Sequence, residues 1–179
     1  MRPHPLHDNG TLTKQFEGFG PAVVVQRSAD TSAALNARTQ DEAQIVEWVN
    51  TFRHSDVVVN LASTVTVDAS IFDRPVVNLD FDPAPGGQHD RLVKDVNHLW
   101  SHFSPIAESG GVWLVDGFPE MLRAVRTYLE RPELHREGRK WIVRHVCEFL
   151  DGHCGERMAA AMLDFLENTS AASPEWSRR

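Results

Sequence analysis

Three short runs of uninterrupted apolar residues stand out from an otherwise mixed chain: "DVVVNLA" (56–62), "RPVVNLD" (74–80) and "GVWLVD" (111–116). None alternates apolar with polar residues, as a strand wetted on one face would. Continuous runs fit strands covered on both faces of a parallel sheet. "PAVVVQRS" (21–28) has the same β-branched character and predicts one more buried strand. Elsewhere the period becomes helical. In "DEAQIVEWVNTFRHS" (41–55), Ile45, Val46, Val49 and Phe52 recur at helical spacing, and Asp41 and Glu42 favour the helix start. "STVTVDASIFD" (63–73) predicts a short helix. Three more are expected over about 117–130, 133–149 and 152–168, separated by Pro132 and by Asp151-Gly152. "NHLWSHFSPIAESG" (97–110) starts as a helix and breaks near Pro105. Residues 1–20, 28–39 and Phe81 to about His98 read as loop, and 169–179 as a frayed tail. Strands alternating with helices predict an α/β fold: a mostly parallel Rossmann-like sheet, helices on both faces and a helical C-terminal region. Residues 1–168 are expected to form one domain.

Composition narrows the function. The 179 residues carry 18 basic and 25 acidic side chains, a net charge of −7, so the basic excess of a nucleic-acid binder is absent. Two cysteines, Cys147 and Cys154, imply no disulfide framework and fit a reducing cytoplasm. No apolar run reaches the roughly 18 residues that would span a bilayer, and "MRPHPLHDNG" has no signal-peptide core.

The candidate chemistry sits between the first two apolar runs. Ser63 follows directly on "DVVVNLA" and stands at the expected N-cap of the next helix. In an open α/β sheet, ligands bind beyond the carboxyl ends of the strands. A helix start there offers free N–H groups and partial positive charge to a phosphate. Ser63 and Thr64 would add hydroxyl donors, and Asp68, one turn on, could accept from a ribose diol. The same residues also serve as ordinary helix caps, and on residue type alone capping is the simpler reading. There is no GxGxxG and no Walker lysine motif.

"RPHP" (2–5), "HSDVVVNLASTVTVDASIFDRPVVNLDFD" (54–82) and "YLERPELHREGRKWIVRHVCEFLDGHCGERMAAAMLDFL" (128–166) follow one another in this order. Together they resemble the C-terminal Rossmann-like domain of GT-B glycosyltransferases. Within that group they are most similar to CDP-glycerol glycerophosphotransferases and related surface-polysaccharide transferases. The resemblance implies a transferase domain that binds a CDP- or UDP-linked donor and moves a glycosyl or glycerophosphate group to a surface polymer. It implies donor-phosphate contacts from His4, Ser63 and Thr64 and a ribose contact from Asp68. Asp151 and Arg157 match the family's "DG…R", although Gly155 stands where serine is frequent, and His102 could face substrate. No catalytic residue is assigned, and no metal or other cofactor is implied. The chain starts partway into such a domain, so the acceptor-binding amino-terminal half is expected from a longer chain or a separate subunit. Alone, the chain is expected to show no measurable transferase turnover. The resemblance implies a cytoplasmic protein, with peripheral membrane association of the whole enzyme. Two alternatives stand beside this reading. One is a UDP-N-acetylglucosamine 2-epimerase-like enzyme, although its "SGG" is lacking. The other is a non-catalytic partner domain.

His98 and His102, four apart, would share one helix face and make half a zinc site. No further ligand motif completes it. Cys147 and Cys154 read as structural thiols.

Overall fold

The three apolar runs become three strands of one parallel sheet: β1 (Val58–Asn60), β2 (Val76–Leu79) and β3 (Val112–Val115), in the order β1-β2-β3. The structure, a computed structural model, describes residues 11–26, 41–84 and 86–170, and the chain divides after His54 into two compact units. In the first unit lie α1 (Thr11–Phe16), a 3-10 segment (Glu17–Ala22) and α2 (Glu42–Arg53). In the second, α3 (Val65–Ile71) links β1 to β2, and α4 (Asp90–His98) and α5 (Ser104–Glu108) link β2 to β3. After β3 come α6 (Phe118–Glu130), α7 (Arg136–Ile142), a π-helical turn (Val143–Cys147) and α8 (Cys154–Ser170). The expected α/β class is observed, with a parallel sheet and a helical C-terminal region.

All four residues of β2 are buried because the strand is central and covered on both faces. Alternation sends Val77 and Leu79 to one face. There they form a core with Val115 and with Ala124 and Tyr128 of α6. Asn78 points the other way and meets Thr66 of α3 at 3.2 Å. The β1 run differs from expectation. Val59 and Leu61 remain more than two-fifths exposed, because β1 is an edge of the described sheet and lacks a neighbour on one side.

Other expectations are corrected. Val23–Gln26 is assigned to no strand among the described residues, and Pro21 and Ala22 close the 3-10 segment. Of residues 1–20, expected as loop, 11–19 are helical and 1–10 lie outside the described residues. The expected loop from Phe81 to His98 contains α4, whose sequence "DRLVKDVNH" buries Val93 and Asn97 on one face. Pro105 does not break a helix. It sits in the first turn of α5, where its missing N–H costs nothing. His98 and His102 therefore share no helix face: His98 ends α4, and His102 lies in the following turn with its ring 5.5 Å from that of Trp100. Helix α2 starts as expected. Asp41 and Gln44 form a reciprocal capping box, at 2.8 and 3.1 Å. Residues 28–39, expected as loop, lie outside the described residues, as does nearly all of the expected tail, 171–179.

Helix α7 is fastened to the second unit in two ways. Its Gly138 meets the backbone of Gly110 and Gly111, just ahead of β3, so closely that a Cβ built on Gly111 would lie 2.5 Å from the Gly138 carbonyl carbon. One residue on, Arg139 is fully buried. It donates to the carbonyls of Leu134 (2.6 Å) and Pro132 (2.8 Å) and to Asp73 Oδ1 (2.9 Å from Nε). Asp73 takes a left-handed conformation (φ 52°) after α3 and also accepts from Arg136 at 2.7 Å.

Tyr128 is fully buried, and its hydroxyl is hydrogen-bonded to His135 Nδ1 at 2.5 Å. Burial holds the phenol well above its usual range, so it stays protonated. Burial, helped by the charge of Arg139, lowers the pKa of His135 and favours the neutral ring. Protonation then favours the unfolded chain, where an imidazole titrates near about 6.5. Stability should be full above about pH 6.5 and fall as pH drops through the lower folded-state value. Urea midpoints measured across this range should show the decline in the native chain and a smaller one in His135→Phe. Equal slopes would show that the Tyr128–His135 bond is not the cause.

Candidate functional site

The sheet's register lines up its carboxyl edge. Asn60 pairs with Asn78 and Leu79 with Val115. Continuing one residue past β2 and β3 brings Asp80 level with Asp116, on strands about 4.8 Å apart. The Asp80 N–H donates to Val115 O at 2.8 Å. In α/β sheets this edge is where ligands bind.

On the β1 side lies the turn Leu61–Thr64. Ala62 has φ 41°, a left-handed conformation that turns the chain sharply after the strand. The turn is fixed from beneath. Asn60 Oδ1 accepts from the Ser63 N–H (3.0 Å), Asn60 Nδ2 donates to Thr66 Oγ1 (3.2 Å), and that hydroxyl donates to Asn78 Oδ1 (3.2 Å). Asn78 Nδ2 is buried and has no partner among the described residues. The signal for this network was an asparagine at matching places in two apolar strands, "VVNLA" and "VVNLD". Sequence reasoning passed over it.

The expected cap is displaced by one residue. Thr64, not Ser63, is the N-cap of α3, and its side chain makes no capping bond. Ser63 Oγ accepts from the Val65 N–H at 3.3 Å. The N–H groups of Thr66, Val67 and Asp68 go to the carbonyls of Ser63 and Thr64, at 2.8–3.3 Å. Thr64 is exposed, and its N–H and hydroxyl have no partner among the described residues. A phosphate would therefore meet unengaged donors at this turn. Asp68 is half-buried on α3, and its charge adds to burial in raising the Cys147 thiol. A raised thiol pKa disfavours the reactive thiolate.

On the β2 side the site is acidic and ordered. Asp80 Oδ2 meets His98 Nε2 at 2.9 Å, and Asp80 Oδ1 accepts from Asn97 Nδ2 at 2.9 Å. Asn97 is fully buried and also donates to Leu79 O at 3.1 Å. This aspartate–histidine pair was not anticipated. Its partners lie 18 residues apart across a stretch expected to be loop. Asp82 accepts from the Ala84 and His89 N–H groups (2.9 and 2.8 Å), which hold its carboxyl below the usual range. Lys94 pairs with Asp90 at 2.7 Å, lowering that acid. Glu120 accepts from the Asp116 N–H at 3.3 Å and from Arg123 at 2.8 Å. The Asp116 N–H is the larger cause of its lowered pKa.

The remaining predicted residues lie elsewhere. Asp151 and Arg157 form a two-pronged ion pair (2.6 and 2.9 Å) with the guanidinium 4.4 Å above the Phe149 ring. Both are substantially exposed, and Arg157 is the main reason the Asp151 carboxyl sits below its usual range. His102 is exposed beside Trp100. His4 lies outside the described residues. Among the described residues no group of three or more His, Cys, Asp or Glu could hold a metal ion, and no helix is long and apolar enough to cross a membrane. Compared with known protein families, curated proteins and solved structures, the chain matches none.

Proposed function

We propose that this chain is the donor-nucleotide-binding part of a GT-B-like transferase that moves a glycosyl or glycerophosphate group from a CDP- or UDP-linked donor to a surface polymer. One observation carries the reading: the turn that follows β1, where the Thr64 N–H and hydroxyl have no partner among the described residues, stands at the carboxyl edge of a parallel sheet. Charge sorts the ligand along that edge. The diphosphate suits the β1 turn rather than the acidic β2 side with Asp80, Asp82 and Asp116, while His4 and Asp68 keep their proposed phosphate and ribose roles. Binding by this chain alone is weak. A helix start contributes about 0.3–1 kcal/mol per charge when exposed, whereas a millimolar complex needs about 4 kcal/mol. Transfer needs a closed, water-excluding cleft, which a second domain or subunit would complete.

The test is a ¹H–¹⁵N titration of the chain with CDP and with UDP. Millimolar binding that shifts the amides of Leu61–Val65, weakened several-fold by Thr64→Val, is the expected result. No shift in that turn with either nucleotide would sink the reading.

A second reading, a domain that docks a protein partner, has one observation behind it. Every described side chain of α8 is exposed, including Met158, Met162, Phe165 and Leu166 along one face.

A further inference from the structure

Asp80 is held in an unusually complete way for an edge carboxylate. Each oxygen has its own partner, Oδ1 the buried Asn97 amide and Oδ2 the His98 ring, and its side chain is only 18% exposed. Asn97 is in turn fixed to the carbonyl of the last β2 residue, Leu79. The chain β2–Asn97–Asp80–His98 therefore sets the orientation of the imidazole from the sheet outward. A carboxylate on one ring nitrogen selects the tautomer that carries its proton there, leaving the other nitrogen as an acceptor. For His98 the second nitrogen is Nδ1, which has no partner among the described residues. The His98 side chain is 46% exposed, so a ligand can reach the ring.

A helix-end histidine facing an acid can be merely structural. Two features speak for more. An exposed surface pair does not need a fully buried amide to fix its carboxylate. Asp80 also directly follows β2, the strand next to β1, at the carboxyl edge of the sheet, where α/β folds bind ligands. The surrounding charge defines what could bind. Asp80, Asp82, Asp90, Asp116 and Glu120 outnumber the cations Lys94 and Arg123 that pair among them, which disfavours a second phosphate here, but hydroxyl groups donate readily to an acceptor nitrogen among carboxylates.

We infer that His98, oriented by Asp80 and Asn97, accepts a hydrogen bond at Nδ1 from a hydroxyl of the polyol or sugar part of the ligand. This rests on the donor reading for the ligand's class. In this arrangement His98 is a binding residue, and Asp80 and Asn97 are positioning residues.

The experiment is long-range ¹H–¹⁵N spectroscopy of the chain labelled at histidine. Without ligand, His98 should be the Nε2–H tautomer, and Asp80→Asn should remove that bias. A native Nδ1–H tautomer overturns the inference. The labelled chain is then titrated with UDP-glucose and CDP-glycerol, and in parallel with UDP and CDP. His98 Nδ1 should move only with the two donors. Both His98→Phe and His98→Gln should bind the donors several-fold more weakly, with affinity for UDP and CDP unchanged. If the donors shift the amides of the β1 turn while His98 stays still, the inference fails and the donor reading stands. If bare nucleotides move Nδ1 equally, His98 contacts the nucleotide and the polyol assignment fails. If His98 responds to the donors and the turn does not, the inference holds and the placement of the phosphates is wrong. If nothing moves, both are wrong.

Discussion

Gly138→Ala should abolish cooperative unfolding of the second unit, and Gly111→Ala should destabilise it by about 3 kcal/mol or more. The cause is backbone on backbone. A Cβ on Gly138 would collide with Gly111 N and with the carbonyl group of Gly110. One on Gly111 would lie 2.5–2.8 Å from the Gly138 carbonyl and the Arg139 nitrogen. No rotamer relieves such a contact, because neither partner is a side chain. Relief would require α7 to move off the loop ahead of β3, and Arg139 would move with it. Gly155→Ala is the control. Its Cβ would meet nothing within 4 Å, so the change should be worth no more than about 1 kcal/mol. Thermal and urea unfolding of the three variants would check the order. A normal transition in Gly138→Ala would mean that α7 does not rest on Gly110-Gly111.

Asp73→Gly should destabilise the fold by about 3 kcal/mol, the low end for breaking a buried ion pair, because the carboxylate is 43% exposed while Arg139 is fully buried. Glycine is the informative replacement. It keeps the left-handed backbone (φ 52°) without strain while removing the side chain that carries the carboxylate. Asp73→Ala should cost more, since alanine adds the strain of that conformation. Arg136→Ala should cost under about 1 kcal/mol, because Arg136 and Asp73 form an exposed pair. Urea denaturation with an unchanged slope would supply the numbers. A loss below about 1 kcal/mol in Asp73→Gly would show that the carbonyls of Pro132 and Leu134 satisfy the guanidinium unaided.

The sheet was legible in the sequence because its strands are continuous apolar runs, and burial on both faces of β2 demands such runs. The first predicted strand was not, since "PAVVV" has the same composition but its first two residues close a 3-10 segment. Helix α4 was hidden because Pro83, Pro85, Gly86 and Gly87 ahead of it suggested a loop that ran on. In fact Asp82 gathers that loop with two backbone bonds, and the helix starts at Asp90. The site divides in the same way. Ser63 and Thr64 could be placed at the strand end because both position and residue type are local. Their hydrogen bonds could not, because which hydroxyl caps depends on the left-handed turn at Ala62. The Asp80–His98 pair and the Asp73–Arg139 clasp join residues whose nearness is set by register and helix placement. No local pattern encodes either.

The clasp also has a consequence for how the chain is made. All three strands have been synthesised by Val115, but the guanidinium that closes onto Asp73 comes 66 residues after that carboxylate. At about 5–20 residues per second, several seconds separate the two. During that interval Asp73 waits without its buried partner. The loop at Gly110-Gly111, which has no side chain to shield it, lies uncovered until α7 arrives. The final shape of this unit is therefore decided late, by a helix made after the sheet it secures.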